Sequence, residues 1–180
     1  MTPGITDTAM EFLERYMTNT RPRLDGTPRV AHSARVGMIL AEKNLPEFTI
    51  AAGILHDVIE DARVTGAMIE ETFGPGMRKL VEALSHDPSK HGHKQDRDLL
   101  ARIEAEGPEA VAIKLADNSD NLRTLRALRP ERRKTYLRYA KKIQEMGVRN
   151  LGPSNDLVLH HLMALRDAEL EATSTPSLHV

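Results

Sequence analysis

The chain of 180 residues contains no cysteine and no tryptophan. The missing cysteine excludes disulfides, thiolate metal sites and cysteine nucleophiles together. Aromatic residues make up 3% of the sequence, too few for a stacking platform that binds single-stranded nucleic acid. An excess of one charge is missing too. The 25 Lys and Arg stand against 26 Asp and Glu, a formal net charge of −1, so nothing draws the protein electrostatically to nucleic acid or an anionic membrane. No stretch approaches the ~20 apolar residues needed to span a bilayer. Met1-Thr2-Pro3-Gly4-Ile5 lacks the basic and apolar regions of a secretion signal. The expectation is a cytoplasmic protein that engages neither nucleic acid nor membrane, with one domain large enough to bury a real core.

Period-two alternation of β-branched residues is also absent, and the periodicity that remains is helical. The pattern predicts helices over Asp7–Met17, Arg29–Lys43, Pro46–Asp61, 66–73, Pro75–Leu84, 94–106, Pro108–Leu128, Pro130–Met146 and a last one to Glu171. Thr65 caps the helix over 66–73 and Gly74 stops it; Ser154 or Asn155 caps the last. Pro108 and Pro130 suit the first turns of their helices. The fold class is all-α, a single-domain helical bundle over residues 1–172, with residues 173–180 as a flexible C-terminal tail.

Within this frame, His56-Asp57-Val58-Ile59-Glu60-Asp61 closes the apolar run Ile50-Ala51-Ala52-Gly53-Ile54-Leu55. Ionisable groups carried into a core by such a run cost several kcal/mol each unless a metal or a partner compensates them. On one continuous helix, His56 and Glu60 share a strip, as do Asp57 and Asp61. Adjacent residues point about 100° apart, so His56 and Asp57 alone cannot enclose a metal, and other helices must contribute. Two further ionisable groups stand at apolar junctions: His32 in Arg29–Lys43, and Asp117 at the end of Val111-Ala112-Ile113-Lys114-Leu115-Ala116. His32, His56, Asp57 and Asp117 make two nitrogens and two oxygens. That donor set suits Mn, Fe, Co, Ni or Zn with positions left for water and substrate. A divalent cation so held can make hydroxide near neutral pH and polarise a phosphoryl oxygen. Glu60 and Asp61, one turn on, would orient the water or shuttle its proton.

Together these segments resemble the HD-domain metallophosphohydrolases, specifically the hydrolase domain of the RelA/SpoT group. Arg23-Leu24-Asp25-Gly26-Thr27-Pro28 with Ala31-His32 resembles the family's RKDGTPY-x-x-HP. Ala51 to Asp61 resembles AALLHD-x-x-ED, and Ile113 to Asp117 with Asn121 to Leu125 resembles KLAD-x-x-x-NMRTL. The resemblance implies an all-helical hydrolase of the HD-domain type, dependent on a divalent metal, most often Mn2+. Its substrate would be a small nucleotide: guanosine 3′,5′-bis(diphosphate) or its pentaphosphate, losing the 3′-pyrophosphate to leave GDP or GTP. By the same resemblance His32, His56, Asp57 and Asp117 match metal ligands, and Glu60 and Asp61 match the pair that activates water. Arg23 and Asn121 match substrate-contacting positions, and Lys114, beside Asp117, is placed with them. At this length the likeness is to stand-alone small alarmone hydrolases. An HD-type hydrolase of other nucleoside mono- or triphosphates is the alternative.

The chain departs from that pattern at Leu24, Arg29 and Ser33, and over Asn118-Ser119-Asp120, where the family carries a basic residue and then an aromatic or His before the asparagine. All are expected near the substrate pocket, with Asp120 weakening the hold on a polyanion if it points inward. Arg21, Arg23 and Arg29 are candidates to grip phosphates. His86, His91 and His93 read as a polar surface loop, with a mobile rim over the pocket as the alternative, His160-His161 as structural, and Arg129–Lys142 as a solvated helix face.

Overall fold

A computed structural model describes residues 3–174 of the chain. It consists of α1 (Ile5–Met17), α2 (Arg29–Glu42), α3 (Glu47–Leu55), α4 (Val58–Asp61), α5 (Gly66–Phe73), α6 (Pro75–Leu84), α7 (His93–Glu106), α8 (Pro108–Leu122), α9 (Pro130–Leu151) and α10 (Asp156–Ser174), with a 3₁₀ turn at Leu125–Ala127. The described residues contain no strand, so the all-α expectation holds. None of these helices is long and apolar enough to cross a membrane.

The helix α8 is the axis of the bundle. It packs against α2, α3, α6, α7, α9 and α10, and buries Ala110, Val111, Ala112, Ile113, Leu115, Ala116 and Leu122. That environment also buries the four consecutive polar residues Asp117, Asn118, Ser119 and Asp120. Against α8 lie α2 and α3, brought unusually close by two glycines. A Cβ on Gly37 would meet Ile54 Cγ1 at 2.6 Å, and one on Gly53 would overlap Leu40 Cδ1. This crossing sets His32 of α2 beside His56 at the end of α3, with ring centroids 5.2 Å apart.

Several boundaries differ from the sequence reading. The continuous helix expected over Pro46–Asp61 is broken: α3 ends at Leu55, His56 and Asp57 form a turn, and α4 begins at Val58. The cause is local. His56 Nδ1 meets the Gly53 carbonyl at 2.8 Å, the acceptor that the Asp57 N–H would use in an unbroken helix. The helix is therefore interrupted between His56 and Glu60, and Asp57 faces the two imidazoles. Similarly α8 stops at Leu122 rather than Leu128, α9 runs on to Leu151, and α10 reaches Ser174. Asn155, not Ser154, caps α10, its Oδ1 accepting the Leu157 N–H at 2.9 Å. Residues 175–180 of the expected tail lie outside the described residues. Thr65 and Gly74 act as read: the threonine hydroxyl accepts the Met68 N–H, and Gly74 takes φ 85° to end α5.

Candidate metal centre and its cleft

Two buried imidazoles face each other across the α2–α3 crossing, His32 at 1% and His56 at 4% exposure. Their outer nitrogens are committed. His32 Nδ1 lies 2.7 Å from Asp120 Oδ2, and His56 Nδ1 lies 2.8 Å from the Gly53 carbonyl. Both inner nitrogens, His32 Nε2 and His56 Nε2, are buried without a hydrogen-bond partner. The other such atoms among the described residues are single hydroxyls, of Ser33, Thr49 and Tyr139. These two nitrogens instead converge on carboxylates. Asp117 Oδ1 is 3.2 Å from His32 Nε2 and 3.6 Å from His56 Nε2. Asp57 Oδ1 is 3.2 Å from His56 Nε2, and its Oδ2 is 3.6 Å from His32 Nε2.

Orphaned buried nitrogens facing paired carboxylates are the arrangement a divalent cation satisfies, because it accepts both lone pairs and both negative charges at once. His32, His56 and Asp57 each offer a ligand atom, all within 4.8 Å of one another, and could hold a metal ion. Asp117 Oδ1 stands beside that trio rather than inside the circle. Its carboxylate is braced by Lys114 Nζ at 2.8 Å on Oδ2 and by Asn121 Nδ2 at 2.6 Å on Oδ1.

The electrostatics are those of a concentrated negative site. Burial disfavours the His56 imidazolium, yet Asp57 and Asp117 outweigh it and raise its pKa well above the ordinary value. Burial likewise opposes the charged form of Asp57, while the His56 charge and hydrogen bond hold its carboxyl at about 2. For Asp117 the Lys114 ammonium and the two histidines overcome burial and hold the acid well below the carboxylate range. Asp61 moves the other way, raised by its burial and the nearby Asp57 charge against the pull of Arg29.

A cleft opens from this centre in two lobes that share Asp57, Asn121, Leu128 and Tyr136. The smaller, about 280 Å³, carries Arg23, Leu24 and Arg29 at its walls; the larger, about 670 Å³, carries Glu60, His86 and Lys114. Arg23 donates to Asn121 Oδ1, so Asn121 links the arginine to Asp117. Arg29 pairs with Asp61 and also donates to the Arg21 carbonyl at 2.9 Å. Glu60 accepts the His86 backbone N–H at 2.8 Å and meets His86 Nδ1 at 2.9 Å.

The nine positions singled out from sequence thus gather around one cleft, although Arg23 reaches Asp117 only through Asn121. Ser33 and Ser119, expected near the substrate pocket, are buried and line neither lobe, and three further readings need correction. Asp120 lines neither lobe: it points away from the cleft to His32 Nδ1 and to Arg35, whose Nε donates to Oδ1 at 2.6 Å and Nη2 to Oδ2 at 2.9 Å. Asn118 also faces away, donating through Nδ2 to Tyr136 Oη at 2.8 Å and meeting His161 Nε2 at 2.9 Å through Oδ1. His86 is not a free surface side chain but holds Glu60. Composition and motif pattern alone do not single out Arg35 or Tyr136. The available signal was spacing: Arg35 follows His32 by three residues and Asp120 follows Asp117 by three, each pair on one helical face. His160-His161 is structural as read, with His161 buried between Asn118 and the Gln144 amide.

Residues 9–145 match the family model described as HD domain. The bifunctional (p)ppGpp synthase/hydrolase SpoT of Escherichia coli (strain K12) is 34% identical over 148 residues, which cover 78% of this chain and 20% of the relative. The guanosine-3′,5′-bis(diphosphate) 3′-pyrophosphohydrolase of Aquifex aeolicus (strain VF5) is 34% identical over 133 residues, 72% of this chain and 19% of the relative. The chain therefore spans about a fifth of the length of the curated relatives it matches. Among solved structures, a metazoan ortholog of SpoT that hydrolyzes ppGpp superposes with a TM-score of 0.80 at 27% identity, over 94% of this chain and 98% of that one. A Listeria monocytogenes EGD-e structure shares the fold with a TM-score of 0.69 at 23% identity, over 79% of this chain and 98% of that one.

Proposed function

The chain belongs to the HD-domain family, and from that premise we propose that it is a metal-dependent hydrolase of guanosine 3′,5′-bis(diphosphate) and its pentaphosphate. It removes the 3′-pyrophosphate to leave GDP or GTP. The observation that carries this reading is the convergence of two partnerless imidazole nitrogens and two carboxylates at the floor of a cleft walled by Arg23, Arg29 and Lys114. The curated relatives named for ppGpp hydrolysis support the choice of substrate.

In this proposal His32, His56, Asp57 and Asp117 hold the cation, Mn2+ by resemblance. When bound, such a cation supplies Lewis-acid chemistry, acidifying water and drawing charge from phosphoryl oxygens. The protein residues do the rest. Lys114 and Asn121 hold Asp117 in place from either oxygen. Arg23 and Arg29 offer guanidinium groups to the pyrophosphate, whose oxygens they can pair bidentately. Water attacks the phosphorus bonded to the ribose 3′ oxygen. The bond from that phosphorus to the 3′ oxygen breaks, the 3′ oxygen takes a proton from solvent, and pyrophosphate departs. Glu60 and Asp61 receive the proton lost by the attacking water and pass it to solvent. Burial raises the Asp61 carboxyl above its ordinary value, which strengthens it as a proton acceptor. The protein works as a cytoplasmic enzyme on a small nucleotide.

One observation favours a second reading. Leu24, at 75% exposure, puts an apolar side chain on the small lobe where the related pattern has lysine. A cleft short of one cation suits nucleoside mono- or triphosphates better than a doubly diphosphorylated one. Chromatography of products with Mn2+ decides between them. GDP plus pyrophosphate from guanosine tetraphosphate is the expected result. No turnover of it, with phosphate released from ordinary nucleotides, contradicts the first reading.

A further inference from the structure

We propose that Asp120, itself clamped by Arg35, is a positioning residue that orients His32 as a metal ligand. His32 and His56 present the same nitrogen, Nε2, to the centre, but they are held there by different means. His56 gives its Nδ1 to the Gly53 carbonyl, a backbone acceptor made available by the end of α3. His32 has no such carbonyl. Its Nδ1 instead meets Asp120 Oδ2 at 2.7 Å, in a site where both side chains are buried. An ionised carboxylate can only accept, so the proton sits on Nδ1 and the Nε2 lone pair is turned to the space between Asp57 and Asp117.

A buried carboxylate in this role must itself be satisfied. Arg35 does so with two hydrogen bonds, 2.6 Å to Oδ1 and 2.9 Å to Oδ2, a bidentate pairing that leaves the carboxylate little rotational freedom. The connectivity matters as well. Arg35 lies one helical turn after His32 on α2, and Asp120 one turn after Asp117 on α8. The clamp therefore ties together the two helices that carry ligands. Asp120 also occupies a position where the chain departs from the related pattern, and that departure points at a ligand rather than into the substrate cleft.

This inference rests on the metal reading of the centre, so the wild-type titration comes first. Metal-stripped protein is titrated with Co2+ against a competing chelator. Failure of the wild type to bind overturns the centre and the inference together. Asp120→Ala is then expected to weaken Co2+ binding by about 10- to 100-fold, and Asp120→Asn, which keeps the volume and is the safer folder, by threefold or more. Asn118→Ala serves as the control for lost stability. It breaks a buried network on another side of α8 and should lower the Tm while leaving Co2+ affinity within twofold. A wild type that binds, with affinity changed less than threefold in Asp120→Asn, overturns the positioning role alone. So does an equal loss of affinity in Asn118→Ala, since the effect would then be general destabilisation.

Discussion

The two sides of α8 carry polar networks of similar depth and opposite character. On one side, Asn118 joins Tyr136 and His161, and His161 reaches the Gln144 amide. Each buried polar side-chain atom in that network lies within hydrogen-bond distance of another. On the other side, Asp117 stands before His32 and His56, whose Nε2 atoms are buried with none. Burying a polar group without a partner costs roughly 1–3 kcal/mol, so a fold keeps two such atoms together when something else occupies the space between them. The comparison separates architecture from chemistry. A buried network whose polar atoms meet one another holds helices together, and partnerless nitrogens that converge on acids form a donor set able to hold a cation.

The contrast can be broken most severely at Asp57. Asp57→Ala removes one of the three clustered groups that could hold a metal and should lower turnover of guanosine tetraphosphate by roughly 10³-fold, the order expected when several kcal/mol of metal assistance is lost. A variant retaining more than a tenth of wild-type turnover would show that the centre is not where catalysis occurs.

The architectural side predicts a pH effect. Burial, then the neighbouring His160, pushes His161 down from an ordinary 6.5 to about 4, so the ring is neutral and donates to only one of the two amide oxygens it faces, those of Asn118 and Gln144. The unfolded chain therefore takes up a proton that the folded chain refuses. The contribution of His161 is complete above pH 6.5 and is lost as the pH falls from there towards 4. On the order of 3 kcal/mol of stability should disappear across that window in the native chain, and that component should be missing from His161→Gln. Urea unfolding of both proteins between pH 7 and 4.5 measures it, and parallel pH profiles would refute the assignment.

A smaller effect is expected from Asn118→Ala. It leaves Tyr136 Oη and His161 Nε2 short of a partner and should cost about 2 kcal/mol in denaturant unfolding, with kcat within twofold of wild type. A large fall in kcat at normal stability would erase the distinction between the two sides. The mildest change is Arg29→Gln, which frees Asp61 from its ion pair. KM for guanosine tetraphosphate should rise by several-fold, on the order of 1 kcal/mol of exposed-site phosphate pairing. An unchanged KM would remove Arg29 from the substrate cleft.

The same contrast explains what could be read from the sequence. Pro108, Pro130, Thr65 and Gly74 punctuate the chain through local backbone chemistry, and they act in the fold as read. His32, His56, Asp57 and Asp117 stand out in the sequence because each interrupts an apolar run, and burial of such a group demands a compensating partner. The break between α3 and α4 was not legible. The apolar pattern runs through it, and a single side-chain bond from His56 to the Gly53 carbonyl ends the helix. Asp120 was misread for a different reason. On an isolated α8 it would face water, and only the packing of α2, with Arg35 on its surface, turns that flank inward. His86 is similar, since its hold on Glu60 joins residues from separate parts of the chain.

The most direct test of the metal centre is an anomalous difference map at the manganese absorption edge, from crystals grown with Mn2+. The expected result is a single strong peak enclosed by His32 Nε2, His56 Nε2 and the Asp57 and Asp117 carboxylates, absent from Asp57→Ala crystals. A map with no peak between the two imidazoles, at full occupancy of the surrounding side chains, would contradict the account.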